Sequence, residues 1–348
     1  MKKNLVVVGY GVMGDWHTYH ALRSDVVNLL GIYDIDEKAC ARAKERGIFA
    51  YDSLEAVLED KNVDIVTVAT PNDSHMEITI KALEAGKHVI CEKPVAMNSA
   101  ELDKMIETSE RVGKLFSVHQ NRRFDVDYLA MKQIKNSGEL GEVINIESRV
   151  HGSRGVSGGW RAQKKHGGGM VLDWGVHKID QILQMFDEKI DRIYCTLDNI
   201  TSKEVDDGFH LNIYFESGKS AFIEVGTYNF ISMPCFYMRA EGGSAIIPDW
   251  NEKCEIAKWN YVNEKDITPV ITAAGVTRTM APRSEITVEK YTKDNPVSDV
   301  HDYYRNFCLA IDGKAEQLVT HPQMRRVMKV MEACFKSHEL KQVVKFEE

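Results

Sequence analysis

The sequence predicts an α/β protein: an N-terminal Rossmann-type doubly wound parallel sheet, then an α/β domain with a large, mainly antiparallel open sheet. Three observations predict it. Short apolar runs alternate with helical patterns over the first third. A Gly9-Tyr10-Gly11-Val12-Met13-Gly14 turn joins the first run to the first helix. From about residue 190 to 290 the pattern changes to closely spaced strand-like runs. A length of 348 residues fits two domains, with the boundary expected between 1–120 and 121–348.

The elements follow in order. Residues 5–8 are an unbroken apolar run, as a strand covered on both faces requires. A helix is expected from about 15 to 24. Residues 26–33 are the second strand, ended by Asp34, and Asp36 caps a helix over 36–46. Tyr51 follows a short strand, and Ser53 caps a helix over 53–59. The runs 64–69 and 87–91 are further strands. Residues 74–85 and 99–112 are helices, stopped by Gly86 and Gly113, and 115–118 close the series. Beyond His119, a helix is expected over 123–136 and an alternating strand over 142–152. A glycine run then leads into a helix over 167–186. Runs 193–197, 210–215, 220–228 and 236–241 are strands separated by Gly, Asp and Asn. Helices return at 300–311 and 321–340. No internal repeat or low-complexity block is present.

Composition narrows the classes. The chain is 43% hydrophobic and 28% charged, ordinary for a protein with a sizeable core. A net charge of -8 argues against nucleic acid or an anionic membrane as the main partner. The run 5–8 is too short for a secretion signal, and no run approaches a membrane span, so the cytoplasm is the expected location. The seven cysteines contain no CxxC pair. Neither a disulfide framework nor a metal site is expected.

The glycine turn carries the first chemistry. Gly9 makes the tight turn, Gly11 lets backbone approach a pyrophosphate, and Gly14 lets helix and strand pack closely. The helix N-terminus, with Val12 and Met13, faces the phosphates. Such a motif alone arises by chance. Here it occupies the first βα turn, follows a wholly apolar strand, and precedes Asp34 by about 20 residues. A carboxylate at that position meets the ribose hydroxyls and repels a 2′-phosphate, which favours NAD over NADP. The plainer alternatives are a tight turn without a ligand and an aspartate that only caps a loop.

Lys93, in Cys91-Glu92-Lys93-Pro94, stands at the C-terminal end of a strand of the same sheet, where ligands of open α/β sheets bind. It could donate to a substrate oxygen and stabilise a developing alkoxide; a solvated surface lysine is the plainer reading. Asp173 and His177 are four apart and share one face if the chain is helical from about Met170. Oxidation of a secondary alcohol needs a base, and imidazole titrates near neutrality. A nearby carboxylate would orient it. By spacing alone, the pair is equally open to a structural role.

In combination, these segments resemble the glucose–fructose oxidoreductase / inositol dehydrogenase (Gfo/Idh/MocA) family of NAD(P)-dependent sugar and cyclitol dehydrogenases. The resemblance runs through the glycine turn, then Ala69-Thr70-Pro71-Asn72 with His75, then Ala82-Leu83-Glu84-Ala85-Gly86-Lys87-His88-Val89. It continues through Glu92-Lys93-Pro94, Gln120-Asn121-Arg122-Arg123-Phe124, and Asp173 with Gly175 and His177. It covers most of residues 1–186. It implies that Lys93 contacts the substrate oxygen and nicotinamide region, and that His177 accepts and donates the proton. Asp173 would bind a second hydroxyl and support the histidine. Thr70, Pro71, Asn72, His75 and Glu92 would line the NAD. Arg122 and Trp160 are candidates to join Lys93, Asp173 and His177 around a small sugar or polyol. The implied architecture is an NAD-binding Rossmann domain (1–120) and a substrate-binding domain (121–348) whose open sheet builds a homodimer or homotetramer.

Two departures stand out. Lys178, in His177-Lys178-Ile179-Asp180-Gln181, replaces a more usual apolar residue and is either exposed or reaches the pocket. The segment 151–166, with Arg154, Trp160, Arg161, Lys164, Lys165 and His166, is basic and glycine-rich. It either clamps a polar or anionic sugar or is a solvated loop. Trp160 could stack on a sugar or anchor that loop, and Tyr303 and Tyr304 are expected in the core. The expected activity is NAD-dependent oxidation of a secondary hydroxyl, or reduction of the keto form. Two alternatives use the same parts. One is a glycoside hydrolase working by transient oxidation and elimination. The other is a non-catalytic NAD-binding regulator, which fits poorly with the presence of Lys93, Asp173 and His177.

Overall fold

The apolar run after Lys3 becomes an inner strand of a five-stranded parallel sheet. The computed structural model describes residues 2–347. Its first half contains β1 (Lys3–Val8), α1 (Val12–Ala21), β2 (Val27–Tyr33), α2 (Glu37–Glu45), α3 (Leu54–Glu59), β3 (Ile65–Val68), α4 (His75–Glu84), β4 (His88–Cys91), α5 (Ser99–Val112) and β5 (Phe116–Val118). The order is β2-β1-β3-β4-β5, all parallel. A single bridge from Ala50 to Ile32 adds a rudimentary strand outside β2, which completes the doubly wound order. The winding reverses between β1 and β3, and that reversal leaves a crevice at their C-terminal ends. The caps expected at Asp36 and Ser53 are in place, and Asn98 adds a third. Asp36, Ser53 and Asn98 accept from backbone N–H groups of α2, α3 and α5, and Gly86 and Gly113 take φ of +78° and +66° where α4 and α5 end. α1 starts earlier than periodicity suggests, because the glycine turn itself opens it: Asp15 N donates to Gly11 O.

The second half contains α6 (Val126–Ser137), β6 (Val143–His151), α7 (Val176–Met185), β7 (Ile190–Asp198), β8 (Gly208–Phe215), β9 (Ser220–Gly226), β10 (Phe236–Ala240), β11 (Gly243–Ile247), β12 (Cys254–Trp259), β13 (Val270–Thr272), β14 (Gly275–Thr277), β15 (Val288–Lys293), α8 (His301–Ile311), α9 (His321–Leu340) and β16 (Val344–Lys345). Nine strands form one sheet, ordered β15-β12-β11-β10-β6-β9-β8-β7-β16. Among the described residues of this sheet, only β6 and β9 pair in parallel. Burial alternates along β6, β8 and β9, the signature of a sheet covered on one face. Helices α6, α7 and α9 supply the cover. A 3-10 turn at Asn121–Phe124 delays α6 relative to the expected start. The helix expected over 167–186 is also divided: Val171–Gly175 is a π-helical turn, and α7 follows.

α8 returns to the first half. Tyr303 donates to Val118 O, and Tyr304 meets His17 Nδ1, so both tyrosines are core residues as expected. The seven cysteines are unpaired. No helix among the described residues is long and apolar enough to cross a membrane.

Arg123 ties the 3-10 turn to α7 and α9. Its Nε and Nη2 donate to the two Asp180 oxygens at 2.8 and 2.6 Å, and Nη1 donates to Leu318 O. Burial disfavours the guanidinium charge, but Asp180 outweighs it and raises the pKa. Removing one partner leaves the other charge buried alone. Asp180→Ala is expected to cost about 3–5 kcal/mol in urea unfolding. The double variant with Arg123→Ala should cost clearly less than the sum of the single changes.

Candidate active site

The crevice between β1 and β3 is built by three glycines with three different reasons. Gly9 has φ +93°, and a Cβ there would stand 2.6 Å from Ala69 O. A Cβ on Gly14 would lie 1.9 Å from Gly9 O, so α1 can pack onto the turn only with glycine. A Cβ on Gly11 would meet nothing within 4 Å. The fold itself does not require glycine there, and open space remains at the helix N-terminus for a pyrophosphate.

The cleft holds about 490 Å³. Its walls include Gly9, Gly11, Val12, Met13, Asp34, Thr70, Pro71, Asn72, Glu92 and Lys93, with Trp160 and Arg161 from beyond residue 120. Ser74, Ile35 and Ile78 also line it. Asp34 Oδ2 accepts from Tyr10 N at 2.6 Å and Oδ1 from Asp36 N at 2.8 Å. The carboxylate thus shapes the turn as well as facing the cleft, and each oxygen retains acceptor capacity for ribose. These features fit a dinucleotide.

His75 is a correction. It is expected on the cofactor wall but lies behind it, fully buried, with its ring nitrogens 2.9 Å from Pro94 O and Thr70 O. The reason is helical phase. His75 opens α4 on the same face as buried Thr79, Ala82 and Leu83, which faces the sheet. It ties the Thr70 loop to the Lys93-Pro94 loop.

Glu92 is likewise almost fully buried. Its Oε1 accepts from His17 Nε2 and His119 Nδ1, both at 2.9 Å, and Oε2 accepts from Lys93 N. Burial opposes the carboxylate charge, but the two imidazoles hold its pKa well below the usual range. His17 and His119 escape sequence reasoning, because no local spacing links α1 and the end of β5 to Glu92.

Lys93 Nζ donates to Asp173 Oδ1 at 2.9 Å and to Asp173 O at 3.1 Å. Arg161 Nε lies 3.3 Å from the other carboxylate oxygen. Burial works against the Asp173 charge, yet Lys93 and Arg161 hold its pKa below the usual value. The carboxylate therefore engages these two cations. Support of His177 by Asp173, as expected from i,i+4 spacing, is not part of this arrangement. The π turn carrying Asp173 departs from the α-helical phase on which that spacing rests. His177 is 3% exposed, and among the described residues its Nδ1 has no hydrogen-bond partner. Burial first, then the charges of Lys93 and Arg122, push its pKa well below the usual histidine value. The imidazole is neutral and able to accept a proton.

Arg122 stacks on Trp174 and Trp250, 4.1 and 5.0 Å from the ring centroids. Trp174 meets the His177 ring edge-on at 5.8 Å. Trp160 lies instead on the cleft wall beside Arg161, which sits over its ring at 4.4 Å. The basic segment is a strap. His166 contacts Asp73 at 2.8 Å, and Asn72 Nδ2 donates to Gly167 O. Lys178 is buried. Trp250 and Trp174 meet only through tertiary packing, so their spacing in sequence offers no signal.

The fold and the cleft define a Rossmann-type NAD-binding protein with a second α/β domain. The chain belongs to the Gfo/Idh/MocA oxidoreductase family. Residues 3–120 match its "oxidoreductase family, NAD-binding Rossmann fold" model, and 128–245 match its C-terminal domain. An uncharacterized oxidoreductase of Schizosaccharomyces pombe is 40% identical over 148 residues, 42% of this chain and 40% of that protein. Myo-inositol 2-dehydrogenase of Thermotoga maritima is 29% identical over 57% of this chain and 59% of its own length. D-glucoside 3-dehydrogenase of Escherichia coli is 31% identical over 51% and 52%. The chain thus spans about half the length of the curated relatives it matches. An NAD-binding protein from Listeria innocua superposes with a TM-score of 0.96, at 43% identity over 99% of both chains.

Two outcomes follow. Gly11→Ala should melt like the parent but lose its stabilisation by NAD, whereas Gly14→Ala should melt lower without any ligand; thermal shift with and without NAD reads both. Burial lowers the pKa of His17, His75 and His177, and it brings His20 and His88 down to about 4. The unfolded chain takes up protons at these sites near pH 6.5 while the folded chain does not. Stability should therefore fall as pH drops from about 6.5 toward 4. A melting temperature that stays flat over that range would contradict the assignment.

Proposed function

We propose that this protein is an NAD-dependent dehydrogenase. It oxidises a secondary hydroxyl of a sugar, cyclitol or related polyol, or reduces the keto form. The observation that carries this reading is the convergence of Lys93, its partner Asp173 and a neutral, buried His177 beside a dinucleotide cleft. When bound, the nicotinamide takes up or returns the hydride. The glycine turn holds the pyrophosphate and Asp34 the ribose hydroxyls; the Asp34 carboxylate supports NAD over NADP. Lys93, oriented by both the side chain and the carbonyl of Asp173, donates to the reacting oxygen and favours its alkoxide form. His177 accepts the hydroxyl proton and gives it back in reduction. Asp173, fixed by Lys93 and Arg161, accepts from a second hydroxyl. The relatives named as inositol and glucoside dehydrogenases support a cyclic polyol. The sheet face opposite α6, α7 and α9 supports assembly as a homodimer or homotetramer.

A panel of polyols and keto-sugars with NAD and NADP tests this through nicotinamide absorbance. His177→Asn should lower kcat roughly 10²–10⁴-fold. With the histidine pKa below 6.5, kcat/KM for oxidation should stay level from pH 7.5 to 6.5 and decline only at lower pH. No turnover in either direction, with either cofactor, would defeat the proposal.

A further inference from the structure

We propose that the substrate is an acidic polyol, whose carboxylate docks on Lys178 and Arg122 at the far end of an aromatic wall from His177. This rests on the dehydrogenase reading and names its substrate class.

Lys178 is the starting point. It is 2% exposed, and among the described residues its ammonium has no hydrogen bond or ion pair. The rings of Phe236 and Trp250 lie 4.6 and 5.7 Å from it. Asp125 and Asp127 are close enough to influence it, but neither forms an ion pair with it. Asp125 is engaged by Arg122 at 2.9 Å, and Asp127 Oδ2 is itself buried without a partner. Burial disfavours the ammonium, and Asp127 and Asp125 favour it only through space, without a direct bond. Elsewhere on α7, Ile179 and Ile182 pack in the core, and Asp180 is held by Arg123.

Arg122 is the second cation. Among the described residues, the only hydrogen bond of its guanidinium is from Nη1 to Asp125, which leaves most of the fork open. It is half-buried, and Trp250 is shared between it and Lys178. Trp174 joins this pair to His177. Aromatic faces suit the apolar face of a sugar, and a planar carboxylate suits the arginine fork.

The reaction balances with the acid group as a spectator. The carbinol C–H breaks with its hydride passing to NAD, the O–H proton goes to His177, and a keto acid forms. The anion also aids the base. Burial, Lys93, Arg122 and Lys178 all disfavour protonated His177, and only Glu92 opposes them. A bound carboxylate offsets two of those cations.

The test uses the whole protein with each of several aldonates beside the matching alditol, and glucitol 6-phosphate as the phosphate arm. Binding is read by thermal shift of the NADH complex, separately from turnover. Aldonates should stabilise the parent more than alditols do. Lys178→Met should lower the aldonate-to-alditol ratio of kcat/KM at least tenfold, mainly through KM, and Lys178→Arg should restore most of it. Retained NAD binding certifies that Lys178→Met folds. For aldonates, the acid limb of kcat should lie at higher pH than that of kcat/KM. Aldonate-selective stabilisation lost in Lys178→Met without any oxidation would sustain the subsite and defeat the dehydrogenase reading. Turnover of alditols without aldonate preference, a preference for the phosphate, no stabilisation by either class, or an unchanged ratio in Lys178→Met would overturn the subsite.

Discussion

The ammonium of Lys93 reaches Asp173 across the gap between the two sheets, at 2.9 Å from the side chain and 3.1 Å from the carbonyl. Most of the site is arranged around that contact. Lys93 is set on the Rossmann side, where Glu92 receives its backbone N–H and is itself gripped by His17 and His119. Asp173 is set on the other side, on a π turn whose entry is capped by Asp206: its Oδ2 accepts from Val171 N at 2.7 Å. Each end of the ion pair is therefore fixed by buried polar groups of its own half. A surface pair of the same length would contribute little. This one is enclosed, so its geometry persists and it can orient a donor toward a substrate oxygen.

The cleft shows a second division of labour. Gly9 and Gly14 are required by the packing of β1, β3 and α1, while Gly11 leaves space that the fold does not use. Asp34 combines both roles, since it closes the turn through Tyr10 N and faces the cleft. The alternative of a loop-capping aspartate is thus correct as far as it goes, and does not compete with a cofactor role.

The Rossmann half is legible because its signals are local. A periodic run and a stop glycine suffice to place α5 to the residue, and α9 likewise runs over the expected span. The second half is legible as β-rich but not as a topology. Its central pair, β6 and β9, is parallel and joined across α7, β7 and β8, and nothing local encodes that choice. The site divides in the same way. Lys93 and Asp173 come from motifs and are brought together. His75 comes from a motif too, but helical phase turns it inward. Trp174, Trp250 and the His17–Glu92–His119 cluster are created by tertiary contact between distant segments. The π turn at Val171–Gly175 has a local sequence, yet its consequence, an Asp173 turned to Lys93 and Arg161 rather than to His177, depends on what lies opposite.

The charge layout explains why that turn matters. A carboxylate bonded to His177 would favour imidazolium, which cannot accept a proton. Here the Asp173 carboxylate is committed to Lys93 and Arg161, and burial with the surrounding cations keeps the ring neutral. The same layout makes the base weak in the absence of substrate. A ligand that brings negative charge to Arg122 and Lys178 would strengthen it on arrival, so that recognition of the acid end and readiness of the base at the carbinol end would be coupled through electrostatics alone.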